Sequence, residues 1–241
     1  MKIMKYTLSL VLSLFLFLSC NSQSGEGKQA GAANQAQSDE PKGVVPIEDI
    51  DGKYEEQGLA EATFAGGCFW CTEAVFERVK GVEAVYSGYA GGSLKNPSYQ
   101  QVASGATDHA EAIRIYYHPE VVDYRTLLEV FFLGAHDPTQ LNRQGPDIGA
   151  QYRSAIFFHD KEQKQIAEAY MKELRKSGKF DKPIVTELSR LNTFYKAEAY
   201  HQDYYELDNP PNAGYIRNVS RPKVEKFMKE FKHLLKDEYK A

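Results

Sequence analysis

The sequence predicts an α+β fold: a ferredoxin-like split β-α-β sandwich with additional C-terminal helices. Three observations predict it. Between Ala62 and His159 the apolar pattern reads strand, helix, strand, strand, helix, strand. That order folds into an antiparallel sheet with helices on one face. Lys161 to Arg175 and Val224 to Tyr239 then carry helical rather than alternating spacing. A glycine pair, Gly66-Gly67, stands where the first strand gives way to the first helix, and glycine permits the sharp turn needed there.

Taken in order, the chain begins with Lys2 and Lys5 ahead of an apolar run from Thr7 to Leu18. The run is too short to span a bilayer comfortably and reads as an export signal. It ends in Phe17-Leu18-Ser19-Cys20, so residues 1–20 resemble a bacterial lipoprotein signal peptide. That resemblance implies a lipid anchor on Cys20; the alternative is an ordinary signal peptide with an incidental cysteine. Residues 21–50 are dominated by Ser, Gln, Gly and Ala, a composition that buries no core and reads as a flexible polar linker. Residues 51–241 are then one domain of ordinary size.

Within that domain Ala62-Thr63-Phe64-Ala65 is a short strand, and Ala74 to Val79 has helical apolar spacing. Glu83 to Ala90 is strand-like and stops at Gly91-Gly92. Gln100 to Ala103 is a short helix, stopped by Gly105. Ala110 to Tyr117 is β-rich and ends before Pro119. Tyr124 to Leu133 is amphipathic, with Leu127, Leu128, Phe131 and Phe132 on one helical face. A polar loop, His136 to Gln151, leads to a strand over Arg153 to His159. Ile184 to Leu188 adds an edge strand, and Arg221-Pro222 opens the last helix.

The chemistry gathers at Gly66-Gly67-Cys68-Phe69-Trp70-Cys71. Two thiols sit at the start of a helix, where free N–H groups and a partial positive charge favour a thiolate. Cys68 has the position of a nucleophile, and Cys71 lies about one turn further on. The stretch alone admits three readings: a redox dithiol, core filler, or half of a zinc site lacking its other two ligands. Phe69 and Trp70 are either core aromatics or an apolar wall beside the thiol. Glu111 is either a solvated strand-end carboxylate or, facing an apolar pocket, a proton donor of raised pKa. Tyr99 and Tyr152 are either structural or positioned to bind a reacting oxygen.

Composition narrows the classes. The formal net charge is −4, with no basic cluster outside the C-terminal tail, which argues against nucleic acid as a partner. Three cysteines are too few for a disulfide scaffold. With Cys20 set aside as an anchor, Cys68 and Cys71 remain for exchange.

Six ordered motifs carry a further resemblance. They are Gly-Cys-Phe-Trp at 67–70, Asn-Pro-Ser-Tyr at 96–99, Asp-His-Ala-Glu at 108–111, His-Asp-Pro at 136–138, Gln-Tyr-Arg-Ser at 151–154 and Tyr-His-Gln-Asp-Tyr at 200–204. From about Thr63 to about Lys226 the chain resembles the peptide methionine sulfoxide reductase A family. The resemblance implies a ferredoxin-like α+β core and reduction of methionine S-sulfoxide, free or in proteins. It implies that Cys68 is the nucleophile and Glu111 the proton donor. Phe69 and Trp70 would hold the substrate methyl, Tyr99 and Tyr152 the sulfoxide oxygen, and Asp147 would help position substrate. It implies no metal or organic cofactor, but an external dithiol reductant of thioredoxin type. Many members carry resolving cysteines near the C-terminus; here nothing after Cys71 is a cysteine, and Gly214-Tyr215-Ile216 stands where Gly-Tyr-Cys is common. Cys71 is thereby left as the resolving thiol. The expectation is a monomeric, exported protein held at a bacterial membrane through Cys20.

If Cys20 is the anchor, Cys20→Ala frees the domain from membranes without loss of activity. Fractionation of cells carrying the variant checks this; an unchanged membrane-bound fraction refutes the anchor.

Overall fold

The computed structural model describes residues 48–240. The signal segment, Cys20 and all but the last three residues of the linker lie outside them. The described part opens with a helix the sequence did not suggest, α1 (Glu48–Glu55), followed by β1 (Ala60–Gly66), α2 (Phe69–Glu77) and β2 (Val82–Ala90). Next come α3 (Tyr99–Ala103), β3 (Ala110–Tyr117) and α4 (Tyr124–Glu129). The loop after α4 holds a two-stranded ribbon, β4 (Arg143–Gln144) and β5 (Asp147–Ile148), before β6 (Ser154–Phe158) and α5 (Lys161–Ser177). The chain closes with β7 (Glu187–Arg190), β8 (Phe194–Lys196), α6 (Ala213–Tyr215) and α7 (Arg221–Glu230).

The main sheet has the order β7-β6-β1-β3-β2-β8. Its four inner strands, β6-β1-β3-β2, are all antiparallel. Together with α2 and α4 they form the expected split β-α-β unit. The added edges differ: β7 pairs parallel to β6, and β8 antiparallel to β2.

Side chains along each strand alternate between faces. In β3, Glu111, Ile113, Ile115 and Tyr117 share one face with Ala62 and Phe64 of β1, against α2 and α4. The packing there is aromatic: Phe64 lies 4.8 Å from Phe131 and 5.7 Å from Phe76 between ring centroids. The other face is lined by Ala65, Ala90, Ala110, Ala112 and Ala155 around Phe157 and Phe194. Near its far end Tyr54 of α1 stacks on Tyr116 with centroids 4.2 Å apart.

This topology gathers one end of the sheet. Phe64 pairs with Ile113, Tyr89 with Glu111, and Gly66 with Ser154. The C-terminal ends of β1 and β2 therefore lie beside the N-terminal ends of β3 and β6. Cys68 follows β1, Tyr99 follows β2, Glu111 is the second residue of β3 and Tyr152 precedes β6.

Several boundaries depart from the sequence reading. The amphipathic helix expected through Leu133 stops being α-helical at Glu129 and runs on as a π turn, Val130–Ala135. The last helix does not reach Tyr239. It ends at Glu230, because the chain turns back to pair with the segment after α2: Leu235 bridges Val79, Lys80 N–H donates to Leu234 O, and Lys236 N–H to Arg78 O. That reversal buries Leu235, where a continued helix would carry it away. The edge strand expected over 184–188 forms at Glu187–Arg190, since Ile184 and Thr186 are buried in a loop whose Val185 N–H donates to Pro138 O.

At the turn into α2, Gly67 has φ +91°, and a Cβ there would sit 2.5 Å from Gln144 Cβ. Gly67→Ala is therefore expected to cost ~2 kcal/mol of stability through a disfavoured backbone and this clash. Urea unfolding followed by circular dichroism measures it, and a midpoint equal to that of the parent contradicts the account.

Candidate active site

The site is built on the first turn of α2. Cys68 is the N-cap, and its carbonyl accepts from Cys71 N–H at 3.1 Å. Its side chain makes no capping bond of its own. The N–H of Phe69 instead donates 3.1 Å to Glu111 Oε2 on β3, so a carboxyl from the sheet occupies one of the helix's free N-terminal donors.

A cavity of about 200 Å³ opens here, lined by Cys68, Phe69, Trp70, Tyr99, Glu111, Asp147, Tyr152, Asn212 and Tyr215. Seven of these nine are residues singled out from the sequence. Cys71, the eighth such residue in the domain, does not line the cavity; it lies behind Cys68, fully buried. Asn212 and Tyr215 were not foreseen. Tyr215 donates 2.6 Å to Asp147 Oδ2, which joins β5 to α6 across the opening. Its only sequence signal was its place in Gly214-Tyr215-Ile216.

The aromatic wall is held from behind. Trp70 stacks on Tyr204 with centroids 3.9 Å apart, and its indole N–H donates 3.2 Å to His201 Nδ1. Burial holds His201 neutral, its pKa pulled down to about 4, so it can accept that bond. Phe69 lies 6.5 Å from Tyr99, ring to ring. Tyr99 is tied down through its backbone, its N–H donating 2.9 Å to Glu198 Oε1. His201 and Tyr204 stood inside a recognised motif, but nothing in the sequence linked them to Trp70.

Burial sets the electrostatics. It pushes Glu111 up to about 8, against the pull of the Phe69 N–H; negative charge on Asp147 and Cys71 adds to the rise. Glu111 therefore holds a proton at neutral pH. Burial also raises Tyr99 and Tyr152, with Glu111 and Cys68 nearby, so both hydroxyls stay protonated donors.

The thiols divide unexpectedly. Burial drives Cys68 well above the usual thiol range, and hydrogen bonding to Cys71 and that group's charge add to the rise. Cys71 falls to about 6, chiefly because Cys68 hydrogen-bonds to it, helped by the Lys223 charge and by Ser220 against its own burial. Within this coupled pair the surroundings favour the proton on Cys68 and the negative charge on Cys71.

Neither cysteine is in a disulfide. Among the described residues no group of three or more His, Cys, Asp or Glu is arranged to hold a metal ion. Chemically the arrangement offers a dithiol, a neutral carboxylic acid and two phenol donors around a small, half-apolar cavity. That set fits a substrate carrying an apolar group next to a polar, reducible oxygen.

Comparison with known proteins agrees. The family model for peptide methionine sulfoxide reductase matches residues 60–235. The chain is 54% identical over 172 residues to peptide methionine sulfoxide reductase MsrA of Natronomonas pharaonis, covering 71% of this chain and 95% of that one. To MsrA of Thermus thermophilus it is 51% identical over 175 residues, covering 73% and 97%. Among solved structures it is similar to Mxr1 of Saccharomyces cerevisiae in reduced form, with TM-score 0.56, 36% identity, and 61% of this chain and 84% of that chain covered. It is also similar to methionine sulfoxide reductase A of Corynebacterium diphtheriae, with TM-score 0.57, 34% identity, and 66% and 81% covered. With the match spanning the whole sheet and every residue that lines the cavity, the chain belongs to the peptide methionine sulfoxide reductase family.

Proposed function

We propose that this protein reduces methionine S-sulfoxide, free or in oxidised exported proteins, to methionine, with a thioredoxin-type dithiol as the electron source. The observation that carries the proposal is the cavity itself, where Cys68, a neutral Glu111, two tyrosine hydroxyls and the Phe69–Trp70 wall converge.

The substrate methyl lies against Phe69 and Trp70. Tyr99 and Tyr152 donate to the sulfoxide oxygen, where negative charge builds as the S–O bond weakens. Cys68 passes its proton to Cys71 and attacks the sulfoxide sulfur, while Glu111 protonates the oxygen. The hydroxyl then passes from the substrate sulfur to Cys68 Sγ as the bond between the two sulfurs breaks; the electron pair of that bond stays on the departing methionine, and Cys68 is left as a sulfenic acid. Cys71 then attacks Cys68 Sγ, the hydroxyl leaves as water, and a disulfide forms.

Local geometry supports that closure. Cys71 is the third residue of α2 and Cys68 its N-cap, and the two thiols are close enough to hydrogen-bond to each other. The external dithiol reduces the bond. Export and a lipid anchor on Cys20 are further parts of this proposal, and they rest on the leader sequence.

Cys68→Ser abolishes reduction. Cys71→Ser still releases about one methionine per enzyme without reductant, because the bond-making sulfur is Cys68, but it does so more slowly, for want of the base that takes the Cys68 proton, and it does not cycle with a protein dithiol. The burst assay reads both. If both variants cycle normally with the protein reductant, the dithiol mechanism fails.

The pH dependence has a defined sign. Loss of the first proton from the dithiol near 6 activates the site. Ionisation of Glu111 near 8 removes the acid, so the rate of methionine release falls above that pH. Glu111→Gln lowers the rate by about 10²–10⁴-fold and removes the alkaline limb. A parental rate in this variant excludes Glu111 from the reaction.

A further inference from the structure

We propose that Ser220 and Lys223 are positioning residues for regeneration: they hold Cys71 as the thiolate that leaves when the Cys68–Cys71 disulfide is reduced. The inference rests on the resolving role given to Cys71 above and goes beyond it, to the residues that decide how the disulfide reopens.

Ser220 ends the π turn Ile216–Ser220, immediately before α7. It stands at the N-cap position of α7, yet its side chain makes no bond to that helix. The hydroxyl points instead at α2, with Ser220 Oγ 3.2 Å from Cys71 Sγ. Both residues are fully buried. As a thiol, Cys71 donates to this oxygen; as a thiolate, it accepts the hydroxyl proton. Lys223, the third residue of α7 and half-buried, is a cation that acts on Cys71; Cys68, Tyr215 and Glu111 are further titratable groups coupled to it.

The two sulfurs are not equivalent to an incoming reductant. Cys68 lines the cavity and keeps 5% of its surface exposed, while Cys71 has none. A thiolate of the partner dithiol therefore bonds to Cys68 Sγ. The Cys68–Cys71 bond breaks and its electron pair leaves on Cys71. The partner's second thiol next attacks the partner sulfur of the mixed disulfide and releases Cys68. The partner ends as a disulfide, the site as a dithiol, and two protons have passed from partner to site. The rate of the first exchange rises as the pKa of the departing thiol falls, and Ser220 and Lys223 are placed to lower it.

The test uses the full chain. On a Cys20→Ser, Cys68→Ser background Cys71 is the sole thiol, and thiolate absorbance against pH reports on it alone. Ser220→Ala and Lys223→Gln are each expected to move the midpoint upward, and Lys223→Arg to leave it in place. With Cys68 and Cys71 both present, regeneration by a protein dithiol then slows about threefold for each pH unit the midpoint has moved. Methionine released per enzyme without reductant stays at about one. A midpoint unchanged in both variants overturns the proposal, as does slowed turnover without a shifted midpoint, which marks a merely structural role. Lys223→Gln keeps the test intact if Ser220→Ala does not fold. Failure of the parent itself to form the disulfide after meeting sulfoxide defeats the underlying reading, and is seen before any variant is made.

Discussion

The hydrogen bond from Phe69 N–H to Glu111 Oε2 is the joint on which the site depends. It fastens the first turn of α2, which carries both cysteines and both wall aromatics, to the second residue of β3. A carboxyl placed there meets two opposing demands. The backbone donor and the helix N-terminus favour the anion; complete burial favours the acid. Burial prevails, and Glu111 is protonated at neutral pH. A more open site would leave the same hydrogen bond in place and give an ionised carboxylate with nothing to donate.

The same burial explains the division of charge between the thiols. One negative charge in so dry a space must be shared over the strongest available donors. Cys71 has the Cys68 thiol, Ser220 and the Lys223 charge, while Cys68 faces Cys71 and Glu111. In the proposed mechanism the nucleophile is thus held as a thiol beside its own base, one helical turn away, and activation and resolution use the same pair of atoms.

Much of this was legible in the sequence because topology did the gathering. The split β-α-β order is readable from periodicity, and it brings the ends of β1 and β2 to the starts of β3 and β6. Cys68, Tyr99, Glu111 and Tyr152 each stand at one of those ends. What was not legible came from long-range contacts through short, irregular segments. Tyr215 and Asn212 sit around a three-residue helix, and His201 lies in a single 3₁₀ turn. Such segments have no periodicity to read. Their placement is decided by partners far along the chain, as Tyr215 is by Asp147. The last helix misled for a related reason: its apolar spacing continues past Glu230, and only the pairing of Leu235 with Val79 shows why the helix cannot.

The C-terminal third thus acts on the cavity from outside the split β-α-β unit. Trp70 takes its orientation from His201 and Tyr204, Tyr99 is held by Glu198, Asp147 by Tyr215, and Cys71 by Ser220. Each contact fixes a group that the core unit presents but does not itself immobilise. A catalytic group must be held within about 0.5 Å to act at full effect, and a tyrosine opening the short helix α3 or an indole on the first turn of α2 is not so held by the sheet alone. The core unit chooses which chemistry converges on one point. The wrapping segment from Glu198 to Lys223 converts that convergence into fixed geometry, and for that reason a sequence motif centred on Cys68 describes only half of the site.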